Sequence, residues 1–231
     1  MKLDIISDLH LDFYQNKMPR LIPGADVLVV AGDLAEWRRP QWLDGLRMLT
    51  SQWRDVIYVA GNHEYYGSAV NDLAKYREKA KEFKNLHWLE NESVELDGQR
   101  FCGATGWFPD RPDNFLYQRG MGDFTVIRGI NPWATDSNAT TRRWLDHQVM
   151  PSDVVITHHL PGDQCVSPKW RGNSLNRFFV AGFEGIKPKA WIFGHTHDPM
   201  DFTVDEVRYL CNPAGYPGER GIRPTIKTVD L

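Results

Sequence analysis

A chain of 231 residues, 42% hydrophobic and 25% charged, has the length and composition of one globular domain able to bury a substantial core. Its net charge of −3 at pH 7, with lysines and arginines spread along the chain, gives no blanket basic surface for nucleic acid. Cys102, Cys165 and Cys211 are odd in number and lack any CxxC spacing, so neither a disulfide framework nor a zinc knuckle is implied, and no apolar run approaches the roughly 20 residues of a membrane helix.

In chain order, the first apolar run, Leu3 to Ile6, ends by presenting Asp8 and His10. Val27 to Ala31 turns at Gly32 and presents Asp33. Trp42, Leu46, Leu49 and Trp53 then repeat at helical spacing. Val56 to Ala60 stops at Gly61 and is followed at once by Asn62, His63 and Glu64, in the stretch YVAGNHEYY. A second helical pattern, through Leu73, Tyr76, Ala80 and Phe83, covers Ser68 to Lys84 and ends in a basic turn. Residues 87–89, 93–96 and 100–104 read as closely spaced strands, with Asp97-Gly98 as a hairpin turn between the last two. A third helical segment is expected over about 138–149. Val154 to Thr157 presents His158 and His159, and Trp191 to Phe193 turns at Gly194 and presents His195 and His197. A last strand, over 206–213, breaks at Pro213.

The donor-tipped runs are short and rich in Val and Ile, as strands buried on both faces are. Their alternation with helices predicts an α/β layered domain. Two stretches resist regular assignment, residues 107–137 and 160–174. Both mix Pro and Gly with aromatics and arginines, including Trp107, Phe115, Tyr117, Arg119, Trp133, Trp170 and Arg171. Loops this long in a compact domain are usually functional, so they are expected to wall a substrate site.

Ligands of α/β sheets bind beyond the carboxyl ends of the strands. If the five runs lie side by side, Asp8, His10, Asp33, Asn62, His158, His195 and His197 converge on one crevice. Acids and imidazoles crowded together without a cation would suffer desolvation and repulsion. A metal cluster removes that difficulty, and the mixed oxygen and nitrogen donors suit first-row transition ions better than Ca²⁺ or Mg²⁺. Taken singly, the residues have plainer readings. A lone GD or GN is a turn, Glu64 a structural hydrogen-bond partner, and His159 divides evenly between substrate contact and packing.

The ordered set DLH at 8–10, GD at 32–33, GNHE at 61–64, His158 and GHTH at 194–197 resembles the calcineurin-like metallophosphoesterase superfamily. That resemblance implies a four-layer αββα sandwich of two mixed β-sheets flanked by helices, as a single domain over 1–231. It implies two divalent transition-metal ions, Mn²⁺ first, with Fe, Zn, Co and Ni as alternatives. Asp8, His10 and His197 would hold one ion, Asn62, His158 and His195 the other, and Asp33 would bridge both. A metal-bridged hydroxide would attack phosphorus, with His63 protonating the leaving alkoxide and Glu36 pairing with His63. The implied activity is hydrolysis of phosphate esters, diesters modestly favoured over monoesters. A nuclease acting on DNA or RNA is the alternative, disfavoured by the charge balance, and a non-catalytic scaffold is disfavoured because every ligand position is filled. No membrane partner is expected, and the absence of a charged and apolar leader makes a cytoplasmic location the expectation.

Overall fold

The computed structural model describes residues 1–14, 18–219, 221 and 223–231. Its strands in chain order are β1 (Lys2–Ile6), β2 (Val27–Ala31), β3 (Asp55–Val59), β4 (Leu86–Trp88), β5 (Glu92–Leu96), β6 (Gln99–Ala104), β7 (Val154–Thr157), β8 (Ala190–Phe193), β9 (Met200–Val204), β10 (Val207–Cys211) and β11 (Lys227–Asp230). The α-helices are α1 (Pro40–Thr50), α2 (Leu73–Ala80), α3 (Asn114–Tyr117), α4 (Asp123–Val126) and α5 (Ile130–Gln148). One sheet has the order β11-β1-β2-β3-β4 and the other β5-β6-β7-β8-β10-β9. In the first, β1 to β4 are parallel and β11 is antiparallel; in the second, β6, β7, β8 and β10 are parallel between antiparallel edges β5 and β9.

Period-two alternation along the strands sorts side chains between two cores. Leu3, Ile5, Val29, Ile57 and Val59 face Phe101, Val154, Ile156, Ile192 and Leu210 of the other sheet. On the outer face of the first sheet, Leu28, Val30, Val56 and Tyr58 pack with Trp42, Leu46 and Leu49 of α1 and Tyr76 and Ala80 of α2. On the outer face of the second, Cys102, Val155, Trp191 and Phe193 pack with Leu145 of α5. The result is the expected four layers. β2, β7 and β8 are buried along their whole length.

The hairpin falls where expected: Leu96 pairs with Gln99 around Asp97 and Gly98, both at positive φ (50° and 76°), the signature of a type I′ turn. Other elements differ from expectation. The helix expected over 68–84 is confined to Leu73–Ala80, preceded by a 3₁₀ turn at Val70–Asp72. The one expected near 138 begins at Ile130, with Asn131 extended before Pro132, because Pro is preorganised for a first helical turn. The stretch 107–137 also contains α3 and α4, four residues each, too short to show a helical period. β9 and β11 are short edge strands without a continuous hydrophobic run: β9 alternates Met200, Phe202 and Val204 with polar residues, and β11 is mostly polar. The two sheets are tied at their carboxyl ends, where the Ser7 N–H donates to Asn212 O (3.1 Å) and Ala214 N–H to Ser7 O (2.9 Å). Among the described residues, no helix is long and apolar enough to cross a membrane.

Candidate metal centre

The carboxyl ends of β1, β2, β3, β7 and β8 open onto one crevice, and all seven candidate ligands lie in it. Asp33 stands between two groups. Its Oδ1 is 3.4 Å from His158 Nε2 and its Oδ2 is 3.7 Å from His10 Nε2. On the His10 side, His197 Nε2 lies 3.1 Å from His10 Nε2 and 3.4 Å from Asp8 Oδ1. On the His158 side, Asn62 Oδ1 is 3.1 Å from His158 Nε2, and one donor atom from each of Asp33, His158 and His195 fits within 4.8 Å. A third such group contains His10, Asp33 and His63.

Short turns aim these side chains, and their backbone is strained. Asp8, His10, Asp33, His195 and His197 all sit at positive φ, between 44° and 69°. A non-glycine residue there costs of order 1 kcal/mol, and such outliers cluster at functional sites. Hydrogen bonds hold the turns together: Asp8 N–H donates to Gly32 O (3.0 Å), His10 N–H to Asp33 O (2.9 Å), Gly194 N–H to His158 O (3.0 Å) and His195 N–H to Asp8 Oδ1 (3.0 Å). Gly61 is required for space: a Cβ there would lie 2.2 Å from Asp33 Oδ1 and 2.7 Å from Asp33 N. Glu64 is wholly buried and structural. Its carboxylate accepts from the backbone amides of Asp33 (3.1 Å), Leu34 (2.7 Å) and Gly61 (2.7 Å) and from Tyr58 Oη (2.8 Å), clamping the β2 and β3 turns. Burial, then the neighbouring Asp33 charge, push it up to about 8.

The donors fit divalent metal ions. His158 donates from Nδ1 to Ala31 O (2.9 Å) and His197 from Nδ1 to Glu219 Oε2 (2.8 Å), so in both rings Nε2 faces the crevice. His195 Nε2 is buried with no partner among the described residues. Burial would depress the imidazolium of His158, yet the Asp33 charge and hydrogen bond raise it to about 10; His197, buried but bonded to Asp8 and Glu219, is raised to about 9. His10 is pushed the other way, to about 3, by burial. Two imidazoles that hold protons so firmly against carboxylates mark a site built for positive charge. A metal ion and the Nε2 protons compete for the same lone pairs.

Several contacts differ from expectation. Glu36, expected to pair with His63, instead accepts from Arg38 Nε (2.8 Å) and Arg39 Nε (3.2 Å), because two guanidinium groups follow it in sequence. His63 Nε2 lies 3.1 Å from Tyr216 Oη, and its ring stacks on Tyr66 with centroids 4.0 Å apart. His159 is fully buried, 4.5 Å from the His195 ring and absent from the cleft lining, a packing residue whose imidazolium burial depresses to about 3. Arg119 and Arg171 of the two irregular stretches do not line the cleft, as exposed loop arginines commonly do not.

Four site residues escaped the sequence reading. Asp123 accepts from Asn62 Nδ2 (3.0 Å) and Tyr66 Oη (2.6 Å), which leaves Asn62 Oδ1 turned to His158. Tyr216 stacks on His10 with centroids 4.4 Å apart, and Glu219 holds His197. No local pattern marks Asp123, Tyr216 or Glu219, because each acts on a ligand far away in sequence; Tyr66 stood beside the GNHE block. The cleft itself, about 390 Å³, is lined from both irregular stretches, by Met121, Gly122 and Asp123 and by Leu160, Val166, Ser167, Lys169 and Trp170.

A sequence profile described as calcineurin-like phosphoesterase matches residues 1–199. An uncharacterized protein of Acanthamoeba polyphaga mimivirus is 26% identical over 196 residues, 71% of this chain and 69% of that protein. A UPF0046 protein of Caenorhabditis elegans is 23% identical over 222 residues, 83% of this chain but half of that protein's length. Among solved structures, the phosphopantetheinyl hydrolase from Mycobacterium tuberculosis superposes with a TM-score of 0.75 at 20% identity, over 99% of this chain and 95% of its own. A dimetal phosphatase from Danio rerio gives 0.50 at 11% identity, over 91% of this chain and 86% of its own. At these identities the superpositions establish a shared fold.

Proposed function

This chain belongs to the calcineurin-like phosphoesterase family, and from that premise we propose that it is a dinuclear metal-dependent hydrolase of phosphate esters that favours diesters. The observation that carries the reading is the placement of Asp33, one carboxylate oxygen toward His158 and the other toward His10. Asp8, His10 and His197 would hold one ion, Asn62, His158 and His195 the other, and Asp33 both. Bound there, two divalent ions would lower the pKa of water toward neutrality and offset charge on the phosphoryl oxygens. Carboxylate, amide oxygen and imidazole together suit Mn²⁺ or a neighbouring first-row ion.

The chain's own residues divide the remaining work. His63, buried beside Asp33 but assigned to neither ion, holds a proton at Nε2 for the departing alkoxide, and Tyr216 Oη and the Tyr66 ring fix its plane. Glu36 is committed to two arginines and takes no part. The lean toward diesters rests on Asn62, a neutral ligand, and on the lack of any arginine lining the cleft among the described residues; a dianionic monoester is better matched by bidentate guanidinium groups. Three buried, unpaired cysteines support a reducing, cytoplasmic location.

The test is a panel assay. Protein stripped of metal and reloaded with Mn²⁺, Fe²⁺, Zn²⁺ or Mg²⁺ is offered a phosphomonoester, a phosphodiester, cyclic nucleotides and single-stranded DNA. Metal-dependent hydrolysis with a diester preferred is expected. Exclusive monoester hydrolysis would reverse the preference, and inactivity on every ester with metals bound would refute the reading.

A further inference from the structure

Building on the phosphoesterase reading, we propose that the cleft beside the metal ligands receives one arm of a phosphodiester that is elongated, uncharged and largely aliphatic. The cleft's volume of about 390 Å³ falls within the roughly 300–1,000 Å³ of sites that enclose an organic ligand. Away from the ligand cluster Met121, Leu160, Val166, Trp170 and Leu175 give the wall an apolar side, with Ser167, Lys169, Asn173 and Asn176 beside them. Trp170 is 48% exposed, an apolar surface that an occupant would cover.

Charge and aromatic geometry narrow the arm further. The sole lysine or arginine lining the cleft among the described residues is Lys169, already paired with Asp198 Oδ1 at 2.8 Å, while Asp123 and Glu219 line it as acids. A second anionic group on the substrate would be desolvated with no free lysine or arginine to meet it among the described residues. Among the described residues a nucleobase finds one free ring, Trp170, and no second to sandwich it: Tyr66 is stacked on His63, Phe179 on His195 and Tyr216 on His10. The wall does offer polar contact at one place. Asn173 spends its side-chain oxygen on the Leu175 amide and Asn176 its NH₂ on Trp170 O. One amide donor and one amide acceptor are left there, which matches an amide or hydroxyl within an otherwise aliphatic chain.

The experiment measures binding and hydrolysis separately. Metal-loaded protein is titrated by calorimetry with phosphinates, which carry one negative charge and two uncleavable P–C bonds. Dimethylphosphinate, methyl(hexyl)phosphinate, the same hexyl chain ended in a carboxylate, and a thymidine-bearing phosphinate form the series. Each buried methylene adds up to about fourfold in affinity, so the hexyl compound should bind at least about tenfold more tightly than the dimethyl one. The terminal carboxylate should cancel that gain, and Leu175→Asp should shrink it. Equal binding of dimethyl and hexyl compounds, or tighter binding of the carboxylate or thymidine arm, would overturn the proposal. Hydrolysis of methyl and hexyl 4-nitrophenyl phosphate is followed in parallel: turnover of both without preference for the hexyl ester defeats the arm alone, whereas turnover of neither defeats the phosphoesterase reading.

Discussion

Replacing Gly61 with alanine tests whether the strand end was shaped around Asp33. The new Cβ would lie 2.2 Å from Asp33 Oδ1, 2.7 Å from Asp33 N and 2.8 Å from His158 Cδ2, where ordinary contact begins near 3.4 Å. The carboxylate must therefore retreat by about 1 Å, and the amide behind it cannot give way as a flexible side-chain end does. Metal ligation tolerates displacements of only about 0.2 Å, so a shift of that size removes Asp33 from both sites. Overpacking of this kind costs about 1–3 kcal/mol of stability, which the fold should survive. The assay pairs urea unfolding of the metal-free variant with calorimetric titration of Mn²⁺. A folded protein, destabilised by that amount and at least about tenfold weaker for both ions, is expected. Gly122→Ala serves as comparison, since its Cβ would meet only Tyr66 Oη at 3.7 Å, and it should retain both ions. If Gly61→Ala bound two ions with unchanged affinity, the close approach would be incidental and Asp33 would not be the shared ligand.

Glu219→Gln should weaken one of the two ions by about 10–100-fold, since it loosens His197 without touching the other group; equal weakening of both, in a Mn²⁺ titration, would contradict that. His63→Ala should leave both ions bound, slow esters with basic alkoxide leaving groups by about 10²–10⁴-fold, and affect nitrophenyl esters much less; loss of an ion, by elemental analysis, would make His63 a ligand. Metal loading at pH 7.5 should release about two protons per chain, because His158 and His197 titrate near 10 and 9 in the metal-free protein; indicator-dye measurements finding none would refute it. Both values are raised above the ordinary 6.5, so their contribution to metal-free stability is complete below about pH 6.5 and fades as pH rises through 9 to 10. Urea midpoints across that window check the sign.

The first ligands were legible because each closes a short apolar run, and a buried strand that ends in Asp, Asn or His announces what it points at. Gly61 was legible as the stop of an apolar run, although its reason, the close approach to the oxygen of Asp33, needed coordinates. The groups that orient the ligands were not legible. Asp123 reaches Asn62 across 61 residues, and Glu219 reaches His197 from a loop beyond the last motif. Glu36 shows the converse: a carboxylate three residues after Asp33 looked available to His63, but Arg38 and Arg39 claim it. Likewise β11 buries a single residue, Val229, too little for a hydrophobic pattern, whereas β9 alternates Met200, Phe202 and Val204 over only five residues and buries none of them fully.

The central claim is that two ions share Asp33 and act together. Mn²⁺ is titrated into stripped protein while bound metal per chain and hydrolysis of bis(4-nitrophenyl) phosphate are followed in the same samples. Two equivalents should bind, activity should rise with the second, and Asp33→Asn should lose both binding and turnover. Full activity at one equivalent, or wild-type loading and turnover in Asp33→Asn, would contradict it.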